Sequence, residues 1–487
     1  MQHVLLRPET IALRSRSVML TYAQLQQEIA KLRQEWVLEN RHAPIAIAIA
    51  NHPAWVVVDL AALGDEIPLV PIPLFFSDAQ MLHAIIDAGA ATLVTDQPER
   101  FSLLLSDFVI RKSTFTVAGK RLMQLELKIS HKALPPGTAK ITYTSGTTGN
   151  PKGVCLSACA MLEVANSVVK ATSIDRDAQH LCVLPLSTLL ENVAGVYAAL
   201  IAGATIHLLT SEEVGFLGSQ LDVQKLHAAL LSTKANTAIF IPELLNALLL
   251  AIESGASALP NLRFLAVGGA AVSSSMLLRA EKLALPVYQG YGLSECASVV
   301  ALNTCSNNLL GSVGKPLSHV EIMLAEDDEI LVKGSMFLGY TGDHFAKIDQ
   351  EWLQTGDIGS VDEHGFLYIK GRKKNIFITS FGRNVSPEWM ETTLLNSPQI
   401  QQACVFGEAK PWNLALIVTN CEVSQQIDSA IDSVNQQLPD YARISKWIAV
   451  SPFTSANQQL TLNGRIRREE IYQAYQQTIN NLYKEVA

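Results

Sequence analysis

Cysteine is scarce in this chain and follows no chemically useful pattern. Seven cysteines stand at 155, 159, 182, 296, 305, 404 and 421 of 487 residues, and no two form a CxxC pair. That excludes a small domain stapled by disulfides. Cys155 and Cys159, four apart, have neither a second cysteine pair nor a histidine at zinc-ligand spacing, so they read as free or buried thiols of a reducing cytosol. Charge is also in short supply, at 17% of residues against 48% hydrophobic; a disordered tail or linker has the reverse balance. No basic surplus exists either. Lys and Arg number 37 against 45 Asp and Glu, a net charge of −8, the wrong sign for docking on nucleic-acid phosphates. Long apolar runs are missing too. VAGVYAALIAGATIHLL, from Val193, is short for a bilayer span, is broken by Gly195, Gly203 and His207, and lies between Glu191 and Glu212. It reads as a buried helix running into a strand. The opening segment, MQHVLLRPETIALRSRS, carries no signal-peptide pattern. The expectation is a cytoplasmic protein with no transmembrane segment and no nucleic-acid partner.

What is present is a chain of two or three domains, at about 150 residues per domain. PIAIAIAN (44–51) reads as a buried strand, AWVVVDLAAL (54–63) as a helix and LVPIPL (69–74) as a second strand; a helix ending at Gly89 and the strand ATLVTD follow. The rhythm returns in ANTAIFIP, ELLNALLLAIESG, NLRFLAVGG, SSSMLLRAEKL and PVYQGYG. Such alternation predicts parallel sheets covered by helices. After about residue 310, short strands alternate with turns, which predicts a small antiparallel or barrel-like β region. A basic junction, GRKKN (371–375), then precedes a segment of helix, strands and polar residues. The predicted fold class is therefore α/β: a large N-terminal domain, 1–373, and a mobile α+β C-terminal domain, 374–487.

One stretch stands out chemically. In ITYTSGTTGNPKGV (141–154) a strand feeds a tract of Thr, Ser and Gly followed by Pro and Lys. Glycines let several backbone N–H groups converge, hydroxyls add donors and a lysine adds charge, as a polyphosphate cradle requires. The spacing is not that of a Walker loop, because no GK[ST] follows. GGA (268–270), QGYGLSE (289–295), TGD (355–357), GRKKN (371–375) and NGRIRR (463–468) come after it in order. In that order they resemble the motifs of the adenylate-forming (AMP-binding) superfamily: acyl-CoA synthetases, aryl acid ligases, peptide-synthetase adenylation domains and luciferases. The likeness runs from about residue 20 to the end. FGRNVSPEWME (381–391) is most similar to the long-chain acyl-activating members.

The resemblance implies ATP-dependent activation of a carboxylic acid to an acyl-adenylate, with magnesium, followed by transfer to the thiol of CoA or of an acyl or peptidyl carrier protein. It implies a phosphate site at Thr144, Ser145, Gly146, Thr147, Thr148, Gly149 and Lys152, and nucleotide contacts at Gly269, Ala270, Gly290, Tyr291, Gly292, Ser294, Asp357, Arg372 and Arg383. Catalytic roles fall to Arg465, Lys152, Glu295 and Thr148, with Glu295 on the metal and Lys374 as the hinge. The acid pocket is expected at Thr188, Leu189, Val193, Phe240 and Gly268, and these apolar surroundings favour a fatty acid, with an aryl acid as the rival. Three positions depart from the family pattern. Arg465 stands where a lysine is usual, and a planar guanidinium is not equivalent to an ammonium at a tight site. Phe381 stands on the path of the pantetheine arm, where glycine is usual. Thr188 replaces a histidine or aromatic gate. Arg465 and Phe381 keep a second reading open, a nucleotide- or acyl-binding protein without turnover; oxidation of the luciferase kind is a third. GLSEC is not GxSxG, so a serine hydrolase has no motif here.

Overall fold

The computed structural model describes residues 8–36, 38, 43–130, 132–144, 151–217, 220–342, 351–379, 384–419, 424–461 and 464–484. Two large sheets dominate. In the first, six neighbouring strands run parallel, in the spatial order Ile11–Arg14, Thr205–Leu208, Gln179–Cys182, Thr237–Phe240, Phe264–Val267 and Val287–Leu293. In the second, Thr138–Thr144, Leu69–Pro71, Ile45–Ala48 and Thr92–Thr95 are parallel neighbours. These strands are short and almost wholly buried, as expected where both faces are covered. The helix Pro53–Gly64 starts with His52 accepting from the Ala54 N–H and Pro53 in its first turn, and is buried nearly all round. It is one of the elements whose side chains share the largest core.

At the edges the alternation stops. Val109–Val117 and Lys120–Leu127 form an antiparallel hairpin through Ala118 and Gly119, both at positive φ, the backbone of a two-residue hairpin turn. This hairpin lay outside the predicted β-α-β pattern. The run from Val193 behaves as expected: a π-helical segment Leu190–Tyr197 continues as the α-helix Ala198–Ala202, stops at Gly203 with φ +78° and enters the strand Thr205–Leu208. Among the described residues, no helix is long and apolar enough to cross a membrane.

Beyond residue 310 the strands Val320–Leu324, Glu329–Gly334, Leu353–Val361 and Leu367–Arg372 make a four-stranded antiparallel sheet. The last part of the chain has a sheet of Ile400–Phe406, Asn413–Thr419 and Ile444–Ala449. The helices Pro387–Leu394 and Ser424–Asn435 share one core with it, and the helix Arg468–Lys484 shares another. The fold is α/β with an α+β C-terminal part.

Candidate active site

The motifs meet in a cleft of about 1640 Å³, larger than the ~300–1,000 Å³ that holds one drug-sized ligand. Its walls come from both large sheets, the four-stranded sheet and the C-terminal part. Lys152 opens the strand Lys152–Ser157, which pairs antiparallel with Thr138–Thr144, so that Thr144 and Lys152 are cross-strand partners at the end of the pair. The Lys152 ammonium lies 5.6 Å from the centre of the Tyr340 ring. Tyr340 donates its hydroxyl to Glu295 Oε1 at 2.9 Å, and burial beside that carboxylate drives its phenol up. Glu295 and Ser294 sit in a short helical turn after the strand Val287–Leu293.

Asp357 and Arg372 are cross-strand partners in the four-stranded sheet, with Arg372 Nε 2.8 Å from Asp357 Oδ1. Tyr291 donates to the other carboxylate oxygen at 2.6 Å, and the Arg372 Nη1 bonds the Thr355 carbonyl at 3.2 Å. Asp357 is 4% exposed. Burial raises its carboxyl above the ordinary value, against the opposing pull of Arg372 and Tyr291. Lys374 lies in the turn Lys373–Asn375 on the cleft wall; partial burial lowers its ammonium, and the nearby charges of Arg372 and Lys152 act in the same direction.

Arg465 enters from the C-terminal part and lines the cleft, and its Nε donates to the Gly269 carbonyl at 2.5 Å. Its backbone N–H donates to Thr461 Oγ1. Gly464 sits at φ +74°, and a Cβ there would strike the carboxylate of Glu243, so only glycine lets the loop lie against the helix Pro242–Glu253. Arg468 anchors the far side of the loop. It forks onto both oxygens of the buried Glu391 at 2.6 and 3.0 Å and onto the Val405 carbonyl at 2.8 Å. Ser275 adds two bonds across the same junction, to Asn396 Oδ1 and the Leu395 carbonyl.

The cleft brings together Lys152, Gly268, Gly269, Ala270, Gly290, Tyr291, Gly292, Ser294, Glu295, Asp357, Arg372, Lys374, Arg465, Thr188 and Leu189. Ser145, Gly146, Thr147, Thr148, Gly149, Phe381 and Arg383 lie outside the described residues. Two expected pocket residues are corrected. Val193 and Phe240 are each 0% exposed and belong to packed cores; their neighbours Ala194 and Ile241 line the cleft instead. Glu191, adjacent in sequence to the pocket, is also fully buried, accepting from the Leu184 N–H and paired with His180 Nε2 at 2.8 Å, so it does not face an acid. Sequence reading missed Tyr340, Glu243 and Arg468. Arg468 stood in a quoted motif without a role; Tyr340 lies in LGYTG, an aromatic at a turn, with nothing local to connect it to Glu295.

The sequence profile of AMP-binding enzymes matches residues 2–341, and that of the AMP-binding enzyme C-terminal domain matches 374–487. A long-chain-fatty-acid–CoA ligase of Mycobacterium bovis is 27% identical over 90% of this chain and 88% of its own. A 2-succinylbenzoate–CoA ligase of Bacillus pumilus is 28% identical over 82% of each chain. Among solved structures, an anthranilate CoA ligase in complex with anthranoyl-AMP has a TM-score of 0.81 at 18% identity, covering 97% of this chain and 95% of that one. The o-succinylbenzoate CoA synthetase of Bacillus subtilis with ATP and a magnesium ion has a TM-score of 0.77 at 23% identity, covering 96% and 98%. Fold and motif order thus define an adenylate-forming ligase. The chain belongs to the AMP-binding enzyme family.

Proposed function

We propose that this protein is an acid–thiol ligase that uses ATP to convert a hydrophobic carboxylic acid to its acyl-adenylate, releasing pyrophosphate, and then passes the acyl group to the thiol of CoA. One observation carries the reading: Lys152, Glu295, the Asp357–Arg372 pair and Arg465 converge on a single cleft whose other wall, Leu189, Leu190, Ala194 and Ile241, is apolar. The polar end suits a nucleotide. Each carboxylate oxygen of Asp357 keeps a lone pair beyond those used by Arg372 and Tyr291, and can accept a ribose hydroxyl. Lys152 and Arg465 stand where phosphate charge gathers as the acid's carboxylate attacks the α-phosphorus. Magnesium prefers oxygen and takes one or two carboxylates beside phosphate oxygens. Glu295 suits it, since the Tyr340 hydroxyl fixes the orientation of its carboxylate and leaves it lone pairs to spare.

Tyr340→Phe therefore raises the magnesium concentration needed for half-maximal rate by about tenfold, the scale of losing a partner that orients a metal ligand. A magnesium titration of the variant checks this, with a fall in maximal rate alone as the contrary result.

In this reading, residues 374–487 form the mobile part, turning about Lys374 so that Arg465 leaves the phosphate site after the first step and the thiol enters. The free cysteines suit a reducing cytoplasm. The apolar wall and the likeness to a long-chain ligase support a fatty acid. An aryl acid is the second reading, supported by the likeness to a 2-succinylbenzoate ligase. Incubation with ATP, magnesium, CoA and a graded series of fatty and aryl acids, with a phosphopantetheine carrier replacing CoA in a parallel arm, tests both. AMP and acyl-CoA, highest with a fatty acid, are expected. ATP binding without AMP release for any acid would overturn the proposal in favour of a binder without turnover.

A further inference from the structure

We infer that Asn192 and Tyr197 are positioning residues for the acid, holding the π-helical wall of its pocket through a buried ion pair, Lys140–Asp59, that also fixes the strand entering the phosphate loop. This rests on the reading above, in which the acid lies against Leu190, Ala194 and Ala198.

The network is buried. Lys140 and Asp59 are each 1% exposed, and their side chains meet at 2.8 Å. Lys140 Nζ also donates to Tyr197 Oη at 3.0 Å and to Asn192 Oδ1. Asn192 Nδ2 and Tyr197 Oη in turn donate to Asp59 Oδ2 at 3.0 and 2.9 Å. Three elements are thereby tied at one point: the helix Pro53–Gly64, the strand Thr138–Thr144 and the segment Leu190–Tyr197. A buried ion pair of this kind adds little net stability over apolar residues of the same volume, and its best-attested use is to fix one arrangement among several.

The geometry identifies what is fixed. Leu190–Tyr197 is wound wider than an α-helix, a form that seldom persists without local cause. Its consecutive residues Glu191 and Asn192 bind in opposite directions. Glu191 reaches His180 and the Leu184 N–H, while Asn192 reaches the Lys140–Asp59 pair. Gly195 permits the first set, since a Cβ there would collide with the Glu191 carboxylate and the His180 ring. Leu190, Ala194 and Ala198, spaced by four, are left lining the cleft. Nothing in the network touches the cleft itself: Asp59, Lys140, Asn192 and Tyr197 are absent from its walls. These residues act through the wall they hold.

The test is pyrophosphate exchange by Asn192→Ala and Tyr197→Phe, each of which leaves the Lys140–Asp59 pair intact, against acids of graded length. Thr95→Val serves as a control: it removes a buried hydroxyl bonded to the Ala48 carbonyl, three strands along the same sheet from Lys140 and outside the cleft. The expected result is a KM for the acid raised about tenfold, the scale of one or two lost hydrogen bonds, with a changed order of preferred acids and the KM for ATP unmoved. Should Asn192→Ala fail to fold, Tyr197→Phe carries the test, because it deletes a single oxygen. An unchanged acid KM and acid preference in a folded variant, or an equal change in Thr95→Val, would overturn the inference. A wild-type chain that exchanges with no acid would overturn the proposed function and this inference with it.

Discussion

Replacing Arg465 by alanine lowers ATP–pyrophosphate exchange by about 100–1000-fold, the loss typical when a fixed donor to transition-state charge is removed, while ATP binding holds. The reasoning begins with the loop. Thr461 fixes the Arg465 backbone, Arg468 locks the following turn to Glu391, and Gly464 lets the loop lie on Glu243. The guanidinium is thus delivered to the Gly269 carbonyl on the cleft wall. One Nε proton is spent on that carbonyl, leaving the two terminal amino groups for phosphate oxygens. Arg465→Lys keeps a point charge at the same place and retains exchange within about tenfold of wild type, since an ammonium serves phosphate without the fork. Exchange by Arg465→Ala at the wild-type rate would remove the arginine from the first step.

Asp357→Ala raises the KM for ATP by about 100-fold, with a smaller effect on kcat. The estimate follows from two lost charge-assisted hydrogen bonds to ribose hydroxyls, each worth about 1.5–3 kcal/mol, with part of the loss recovered by water. Asp357 is well placed for that duty because Arg372 and Tyr291 hold its two oxygens from the protein side. Its raised pKa gives a second check. ATP affinity falls as pH drops through that value, because only the ionised carboxylate accepts from both hydroxyls, and the pH dependence disappears in Asp357→Ala. A KM for ATP unchanged by the substitution would contradict the assignment, whatever happened to kcat.

How much of this was legible depended on whether the signal was local. The tract 141–154 is a contiguous chemical statement in the sequence, and Lys152 opens its second strand opposite Thr144. Tyr291, Glu295, Asp357 and Arg372 were each found from a short motif, and the antiparallel pairing of Asp357 with Arg372 explains why two motifs some fifteen residues apart serve one group. The pocket was read less well. Phe240 ends the strand Thr237–Phe240, whose other three residues line the cleft, and Phe240 alone of the four lies wholly in the core, while Ile241 beyond it lines the cleft again; no local pattern in the sequence marks that exception. Val193 and Ala194 differ in the same way around a helical turn. Tyr340 with Glu295, and Lys140 with Asp59, Asn192 and Tyr197, were invisible because their partners lie 45 to 138 residues apart, and no local periodicity encodes a contact between elements so far apart in the chain. Glu191 shows the converse. It stands next to the pocket residues in sequence, yet its carboxylate is consumed by His180 and a backbone amide.

The central claim is that the acid's own oxygen attacks the α-phosphorus of ATP in this cleft. The most direct measurement supplies a hydrophobic acid labelled with ¹⁸O in its carboxylate, with ATP, magnesium and CoA, and reads the isotope in the nucleotide product by mass spectrometry. An acyl-adenylate route predicts AMP carrying one labelled oxygen, together with pyrophosphate. Unlabelled AMP, or ADP with labelled inorganic phosphate, would contradict it.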